Sequence, residues 1–244
     1  MKAIIFNSGL GNRMGDLTKE FHKSMTRLSG GETILHRQLR LLEEAGVRDI
    51  VITTGPFADQ LKGEAADFPN MHFTFVHNDL YACTNYIYSM YLAREAIDDD
   101  MLFLHGDLVF DRALVKDILA CEHPSAATVH YGKALPEKDF KGRVRDGKVQ
   151  EVSIHIFDAD CFAFQPLYKL DKATAAAWVR QVEKFVSLGQ TKCYAENAFN
   201  EILPQLAVHA FSYEAHYIDE IDNLDDYNRV SRQIEEFDRL QKEN

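Results

Sequence analysis

Positive charge is in deficit in this sequence. It sets 27 Lys and Arg against 38 Asp and Glu, so its 244 residues carry a formal net charge of −11. Nucleic-acid backbones draw Lys/Arg-rich faces, so this deficit argues against a nucleic-acid partner. It leaves small anions open to a local basic pocket. Cysteine is sparse as well. Cys83, Cys121, Cys161 and Cys193 lie far apart, with no Cys-x-x-Cys pair, which disfavours a zinc knuckle or a redox dithiol. They read as small buried apolar residues in a reducing compartment. No apolar stretch approaches the length of a membrane span. The first residues run straight into a strand without a signal peptide. A cytoplasmic protein with no membrane partner is expected. No linker, low-complexity tract or internal repeat stands out. The length and an apolar fraction of 46% suit one α/β domain over 1–244.

What is there alternates. Apolar runs at 3–6, 49–54, 72–76, 101–104, 126–130 and 161–164 predict strands. Helical spacing covers 33–45, 57–66, 84–96, 113–121, 172–188 and 196–206. Asp146-Gly147 between two short arms predicts a hairpin with a type I′ turn. Residues 208–213 and 216–218 are strand-like. The tail from Leu224 carries a stripe of Leu224, Tyr227, Val230, Ile234 and Phe237, with Asp222 or Asn223 as N-cap. The pattern predicts a single-domain, Rossmann-like, mostly parallel mixed sheet with helices on both faces. Residues 132–206 are the least regular and read as an insertion.

The stretch from Lys2 to Lys23 organises the chain. Ala3 to Phe6 form a strand buried on both faces, and Asn7, Ser8, Gly9 and Gly11 then break it. Glycines there allow a tight turn whose N–H groups point at phosphate oxygens. A dinucleotide fingerprint fails, because Met14 stands where its third glycine belongs. A P-loop fails for want of Gly-Lys-Ser/Thr. What remains is Gly9-x-Gly11-x-Arg13, followed by Lys19 and Lys23.

Carboxylates are the second theme. Asp107 follows an apolar strand and a glycine, so it emerges at the strand's carboxyl end, where open α/β sheets bind ligands. Its competing role is a helix cap. Asp219-Glu220-Ile221-Asp222 forms a second acidic cluster, with capping again the competitor for Asp222. Asn85 and Ser89 are four apart and share a helix face. Their amide and hydroxyl can hydrogen-bond the polar edge of a ligand. Tyr86 or Tyr88 suits stacking on a base or boxing an ammonium group, although Tyr88 and Tyr91 read better as packing residues. His105 is at most a neighbour of the site.

Gly9-x-Gly11-x-Arg13, Thr18-Lys19-Glu20-Phe21-His22-Lys23, Thr84-Asn85-Tyr86-Ile87-Tyr88-Ser89, Gly106-Asp107 and Glu220-Ile221-Asp222 together resemble the nucleotidyltransferases that move a nucleoside monophosphate from NTP onto a phosphate-bearing acceptor. The nearest likeness is to bacterial cytidylyltransferases of the phosphocholine, aminoethylphosphonate and phosphoglutamine type. It spans roughly 1–110 and 215–230. Two departures stand out. His22 replaces the usual proline, and Asn7-Ser8 replaces Ala-Ala.

The resemblance implies Lys23 on the α-phosphate and Arg13 along the β- and γ-phosphates. It implies nucleotide contacts from Asn7, Ser8, Gly9, Leu10, Gly11, Asn12, Asn85 and Ser89. It further implies Mg2+ at Asp107, Asp222 and Glu220, and acceptor contacts from Tyr86 and Glu196. In-line attack by an ionised phosphate needs no general base, so positioning and charge neutralisation carry the chemistry. The expected partners are CTP and a small phosphorylated zwitterion, with pyrophosphate released and the product used in surface polysaccharide decoration. Homo-oligomerisation is left open. The alternatives are a sugar-1-phosphate nucleotidyltransferase using UTP or dTTP, and a non-catalytic nucleotide-binding module. A glycosyltransferase is disfavoured because no Asp-x-Asp stands at 107–109.

Overall fold

A computed structural model describes residues 1–9, 11 and 20–243, with the side chains of 241–243 left aside. Leu10, Asn12, Arg13 and Lys19 therefore lie outside the described residues.

Strands β1 (Lys2–Asn7), β2 (Asp49–Thr54), β3 (His72–His77) and β4 (Met101–His105) pair in parallel, in the order β3-β2-β1-β4. Central parallel strands are covered on both faces, which is why β1 reads as an unbroken apolar run. Its residues still alternate between two cores. Ala3 and Ile5 join Leu35, Leu39 and Leu42 of helix α1 (Ile34–Glu44) on one face. Ile4 and Phe6 join Ile87 and Met90 of a helix on the other face. Helix α1 starts at Thr33, whose Oγ1 accepts the His36 N–H at 2.9 Å. It ends before Gly46, at φ +84°. Helix α2 (Ala58–Ala65) lies against α1. The helix predicted over 84–96 is shorter: α3 (Tyr86–Leu92), then a 3₁₀ turn over Arg94–Ala96.

Beyond β4 a two-stranded ribbon intervenes. A short strand β5 (Leu108–Phe110) precedes helix α4 (Arg112–Ala120). Strands β6 (Ala126–His130), β7 (Lys141–Arg145), β8 (Lys148–Ser153), β9 (Cys161–Leu170) and β10 (His209–Ser212) complete a nine-stranded sheet among the described residues. Its order is β3-β2-β1-β4-β9-β6-β10-β8-β7. Only β8 and β9 run against the other strands. The sheet is mixed but mostly parallel in direction. At the β7–β8 turn Asp146 (φ 49°) and Gly147 (φ 71°) are both left-handed, as a type I′ turn requires.

The middle of the chain needs one correction. Strand β9 lies between β4 and β6, so residues 161–170 belong to the body of the sheet and not to an insertion. The strand also outruns the predicted 161–164. Pro166 sits where the β6–β9 register shifts between Ala127 and Val129, an irregularity that tolerates a residue without N–H. Helix α5 (Lys172–Ser187) covers β9 and packs on α3, with Trp178 buried against Phe103 and Phe199. The helix predicted to Leu206 stops early as α6 (Ala195–Asn200), before a 3₁₀ turn that contains Pro204.

Strand β11 (Ile218–Glu220), displaced from the predicted 216–218, pairs antiparallel with β5. Helix α7 (Leu224–Glu243) follows. Its Val230 and Ile234 bury against Leu28, Ile34 and Ile221, whereas Leu224 stays exposed. No described helix is long and apolar enough to cross a membrane.

Candidate active site

The strands β1 and β4 end at one edge, and the site is built there. The Gly106 N–H donates to the Phe6 carbonyl at 3.2 Å, which keeps the two exits together. The β5–β11 ribbon then fixes the carboxylates. Glu220 is paired with Leu108, and the Ile221 N–H donates to the Asp107 carbonyl at 3.1 Å. Asp107 and Asp222, far apart in sequence, therefore stand side by side.

Lys23 joins them. It lies in a 3₁₀ turn (Lys23–Met25), and its ammonium donates to Asp107 Oδ2 at 2.7 Å and to Asp222 Oδ1. Burial opposes the charge on Lys23, but the two carboxylates outweigh it and raise the pKa. Burial would likewise raise Asp107, yet Lys23 and His105 hold it below the usual carboxylate range. Glu220 has only His105 beside it, which does not offset the cost of burial. Burial, with the Asp107 charge beside it, pushes Glu220 up to about 7. Its carboxylate lies 3.5 Å from His105 Nδ1. That contact and the charge of Asp107 overcome burial and raise His105.

The capping alternatives fall to other residues. Asp111 caps α4 through the N–H groups of Ala113 and Leu114, leaving Asp107 out of that role. Asn223 Oδ1 accepts from the Asp225 and Asp226 N–H groups at the start of α7, so Asp222 is not needed there.

Lys23, His105, Asp107 and Asp222 line a cavity of about 280 Å³, together with Asn7, Gly9, Gly11 and His22. Its opposite wall is aromatic. Tyr86 packs 5.1 Å from Phe6 and 4.7 Å from His105 between ring centres, and Tyr194 lies beyond it. Asn85 lines the cavity too, as the N-cap of α3, with its Oδ1 on the Tyr86 N–H.

His22, the residue in the proline position, is buried. Its Nδ1 accepts the Ser24 N–H at 3.1 Å and lies 2.8 Å from Ser24 Oγ. The ring also bonds to the backbone at Gly9 and Asn7. Burial lowers its pKa to about 4, so the ring is neutral near pH 7 and ties the lysine turn to the glycine loop.

Three expected contacts are placed elsewhere. Ser89 is fully buried, with its Oγ 2.6 Å from Ser8 Oγ and 2.9 Å from Asn78 Nδ2, so neither serine faces the cavity. Glu196 is 1% exposed and sits behind Tyr86. Its carboxylate takes the Tyr86 hydroxyl and, at 2.8 Å, the Tyr168 hydroxyl. Burial and that carboxylate raise both phenols. Tyr88 and Tyr91 stack on each other at 5.8 Å, away from the cavity.

Sequence reading missed Lys138, Asp139, Phe140 and Tyr194. They line a smaller adjoining space of about 70 Å³ that shares His105, Asp107 and Asp222 with the main cavity. No periodicity marks the loop 131–140. Only the sheet brings it here.

A divalent cation fits the acidic side of the site. Asp107 Oδ1 is buried without a hydrogen-bond partner among the described residues. Glu220 offers oxygen ligands within 4.8 Å of donor atoms of His105 and Asp107, and also of Asp139 and Asp222. Hard oxygen donors of this kind suit Mg2+.

A glycine turn at a strand's end, facing a lysine clasped by one carboxylate on the neighbouring strand's exit and one that follows β11, defines a nucleotidyltransferase. The chain belongs to the MobA-like NTP transferase domain family, whose pattern matches residues 3–236. It is 26% identical over 233 residues to the choline-phosphate cytidylyltransferase of Streptococcus pneumoniae, covering 94% of this chain and 96% of that protein. It is 27% identical to the protein of the same name from Haemophilus influenzae, covering 96% and 97%. The solved CTP:phosphocholine cytidylyltransferase of Streptococcus pneumoniae superposes with a TM-score of 0.80 at 24% identity, covering 95% of this chain and 97% of that one.

Proposed function

We propose that the protein is a magnesium-dependent cytidylyltransferase. It transfers CMP from CTP to a small phosphate- or phosphonate-bearing zwitterion and releases pyrophosphate. The observation that carries this reading is the Lys23 ammonium clasped by Asp107 and Asp222 at the mouth of the glycine turn. A binding module has no use for two buried carboxylates and a lysine at one point.

Asp107 and Asp222, with Glu220 beside them, would hold Mg2+, which would supply charge neutralisation at the α-phosphate. The Lys23 ammonium donates to a non-bridging α-phosphate oxygen. There it stabilises the charge that builds as the acceptor oxygen attacks in line. Backbone N–H groups at Gly9 and Gly11 face the phosphates, and Arg13 accompanies the leaving pyrophosphate. His22 keeps the lysine turn in register with that loop. Asn85 faces the base. Ser8 and Ser89 act from behind, by holding the loop's first turn.

The acceptor occupies the side formed by Tyr86, Tyr194, Phe140 and Asp139. Ring faces and carboxylates favour a cationic head group. Glu196 contributes its charge through Tyr86. The product would serve surface polysaccharide decoration, made in the cytoplasm by one domain over 1–244.

The test is a pyrophosphate-release matrix. CTP, UTP, dTTP and ATP are each offered with phosphocholine, 2-aminoethylphosphonate, phosphoglutamine and glucose 1-phosphate, in Mg2+ and in EDTA. Release with CTP and one zwitterion, lost in EDTA, is expected. Faster release with UTP or dTTP and the sugar phosphate would replace this reading with a sugar nucleotidyltransferase.

A further inference from the structure

The end of β1 holds an unusual side chain. Asn7 is 1% exposed and lines the main cavity. Its backbone N–H is satisfied, donating to Thr53 Oγ1 at 3.0 Å. Its carboxamide is not. Neither Oδ1 nor Nδ2 has a hydrogen-bond partner among the described residues. Leaving a buried donor or acceptor unmade costs about 1–3 kcal/mol, so a buried amide with both ends open needs an explanation.

The amide is also held in place. It packs onto the backbone of Gly106, where an added Cβ would fall 1.6 Å from Asn7 Oδ1. Position 106 has no room for a side chain while Asn7 keeps this pose. Asn7 thus lies next to the residue that precedes Asp107, at the phosphate end of the site. Ser8 is not its partner, because that hydroxyl is engaged with Ser89.

The missing ligand group must accept from Nδ2 and donate to Oδ1. A phosphate oxygen only accepts. A metal ion satisfies only Oδ1. A hydroxyl does both. A base edge also offers both, but the sugar, not the base, adjoins the α-phosphate of a nucleotide.

We propose that Asn7 hydrogen-bonds a ribose hydroxyl of the bound nucleotide and sets a preference for ribo- over deoxyribonucleoside triphosphates. The proposal rests on the nucleotidyltransferase reading of the site, though on neither the base nor the acceptor. A site built around a hydroxyl rejects an analogue that lacks it, because its polar groups are then left unpaired.

The test is calorimetric binding of CTP, 2′-deoxy-CTP, 3′-deoxy-CTP and UTP in Mg2+ to the wild type and to Asn7→Ala and Asn7→Leu. Wild type should bind CTP about tenfold or more tighter than one of the deoxy analogues. Both variants should bind CTP only as well as that analogue, with the analogue's own affinity changed less than about threefold. Asn7→Leu, which removes the two open polar atoms at similar size, should leave the ligand-free Tm unchanged or raised. Gly106→Ala, which pushes the amide aside, should show the same loss of discrimination. Equal losses for CTP and both deoxy analogues would overturn the proposal. So would recovery of the variants by excess Mg2+, which assigns Asn7 to the metal, or an altered CTP-to-UTP ratio, which assigns it to the base. Failure of the nucleotidyltransferase reading looks different: the wild type would bind none of the four.

Discussion

Lys23 is nine-tenths buried with two carboxylates on its ammonium, and that geometry makes its removal a double event. Lys23→Ala takes away the cation expected at the α-phosphate. By the precedent of a single electrostatic donor in a water-poor site, turnover should fall by about 10²–10³ or more. The substitution also leaves Asp107 and Asp222 facing each other without their cation, and breaking a buried pair costs roughly 3–5 kcal/mol. The variant should melt well below wild type in EDTA. Mg2+ should then raise its Tm more than it raises that of wild type. Thermal scans with and without Mg2+ check this, and equal shifts for both proteins would show that the two carboxylates do not share a cation. Single residues were also legible to different degrees. Asp107 announces itself by following a glycine at a strand end, whereas Lys23 stands out only through its place after the glycine loop in the family resemblance. Ser89 misleads, because spacing shows which helix face a hydroxyl occupies but not that Asn78 and Ser8 close over it.

Among elements, the β5–β11 ribbon does most to assemble the site. Each strand has three residues, too few to show any alternation, and residues 108–110 pass in the sequence for the entry to a helix. The ribbon is braced from outside. Buried Arg37 of α1 pairs bidentately with Asp238 of α7 at 2.8 Å, reaches Glu32, and donates to the Phe110 carbonyl of β5. Arg37→Met should destabilise the fold by roughly 2–3 kcal/mol. That is less than a fully buried pair is worth, because the Asp238 side chain is 30% exposed. It should also weaken Mg2+ binding, since α7 begins two residues after Asp222. Urea unfolding and Mg2+ titration read the two effects separately. Asp111 is a cleaner case of stability alone. Its carboxylate takes the N–H groups of Ala113, Leu114 and Tyr217 away from the cavity. Asp111→Ala should cost about 2 kcal/mol in urea unfolding and leave the KM for CTP unchanged.

At the scale of the whole molecule, the site's acidity shapes the pH dependence of stability. Folded Glu220 keeps its proton up to about 7, whereas an unfolded glutamate releases it near 4.5. Between those values the native state binds more protons than the unfolded one, so stability falls as pH rises through the window. His105, raised by Glu220 and Asp107 against its burial, adds a loss in the same direction above its ordinary 6.5. The depressed Asp107 acts only below its ordinary 3.8, where protonation removes its contribution. In EDTA the wild-type Tm should therefore decline from pH 5 to 7, and Glu220→Gln should flatten that decline. A wild-type Tm that rises over this range would contradict the raised pKa of buried Glu220.

The sequence by itself determined the class of fold, the parallel strands β1 to β4, the hairpin at Asp146-Gly147 and the glycine turn that leads to Lys23. These follow from local causes: unbroken apolar runs, helical spacing and residues that tolerate a left-handed backbone. The tertiary structure decided the rest. It seated β9 within the sheet, closed Tyr86 over Glu196, brought the 131–140 loop beside His105 and Asp107 and set Asp222 beside Asp107. Each of these depends on pairing and packing between segments distant along the chain. Neither composition nor periodicity carries that information, because a side chain's partners are fixed only when the sheet and its ribbon close.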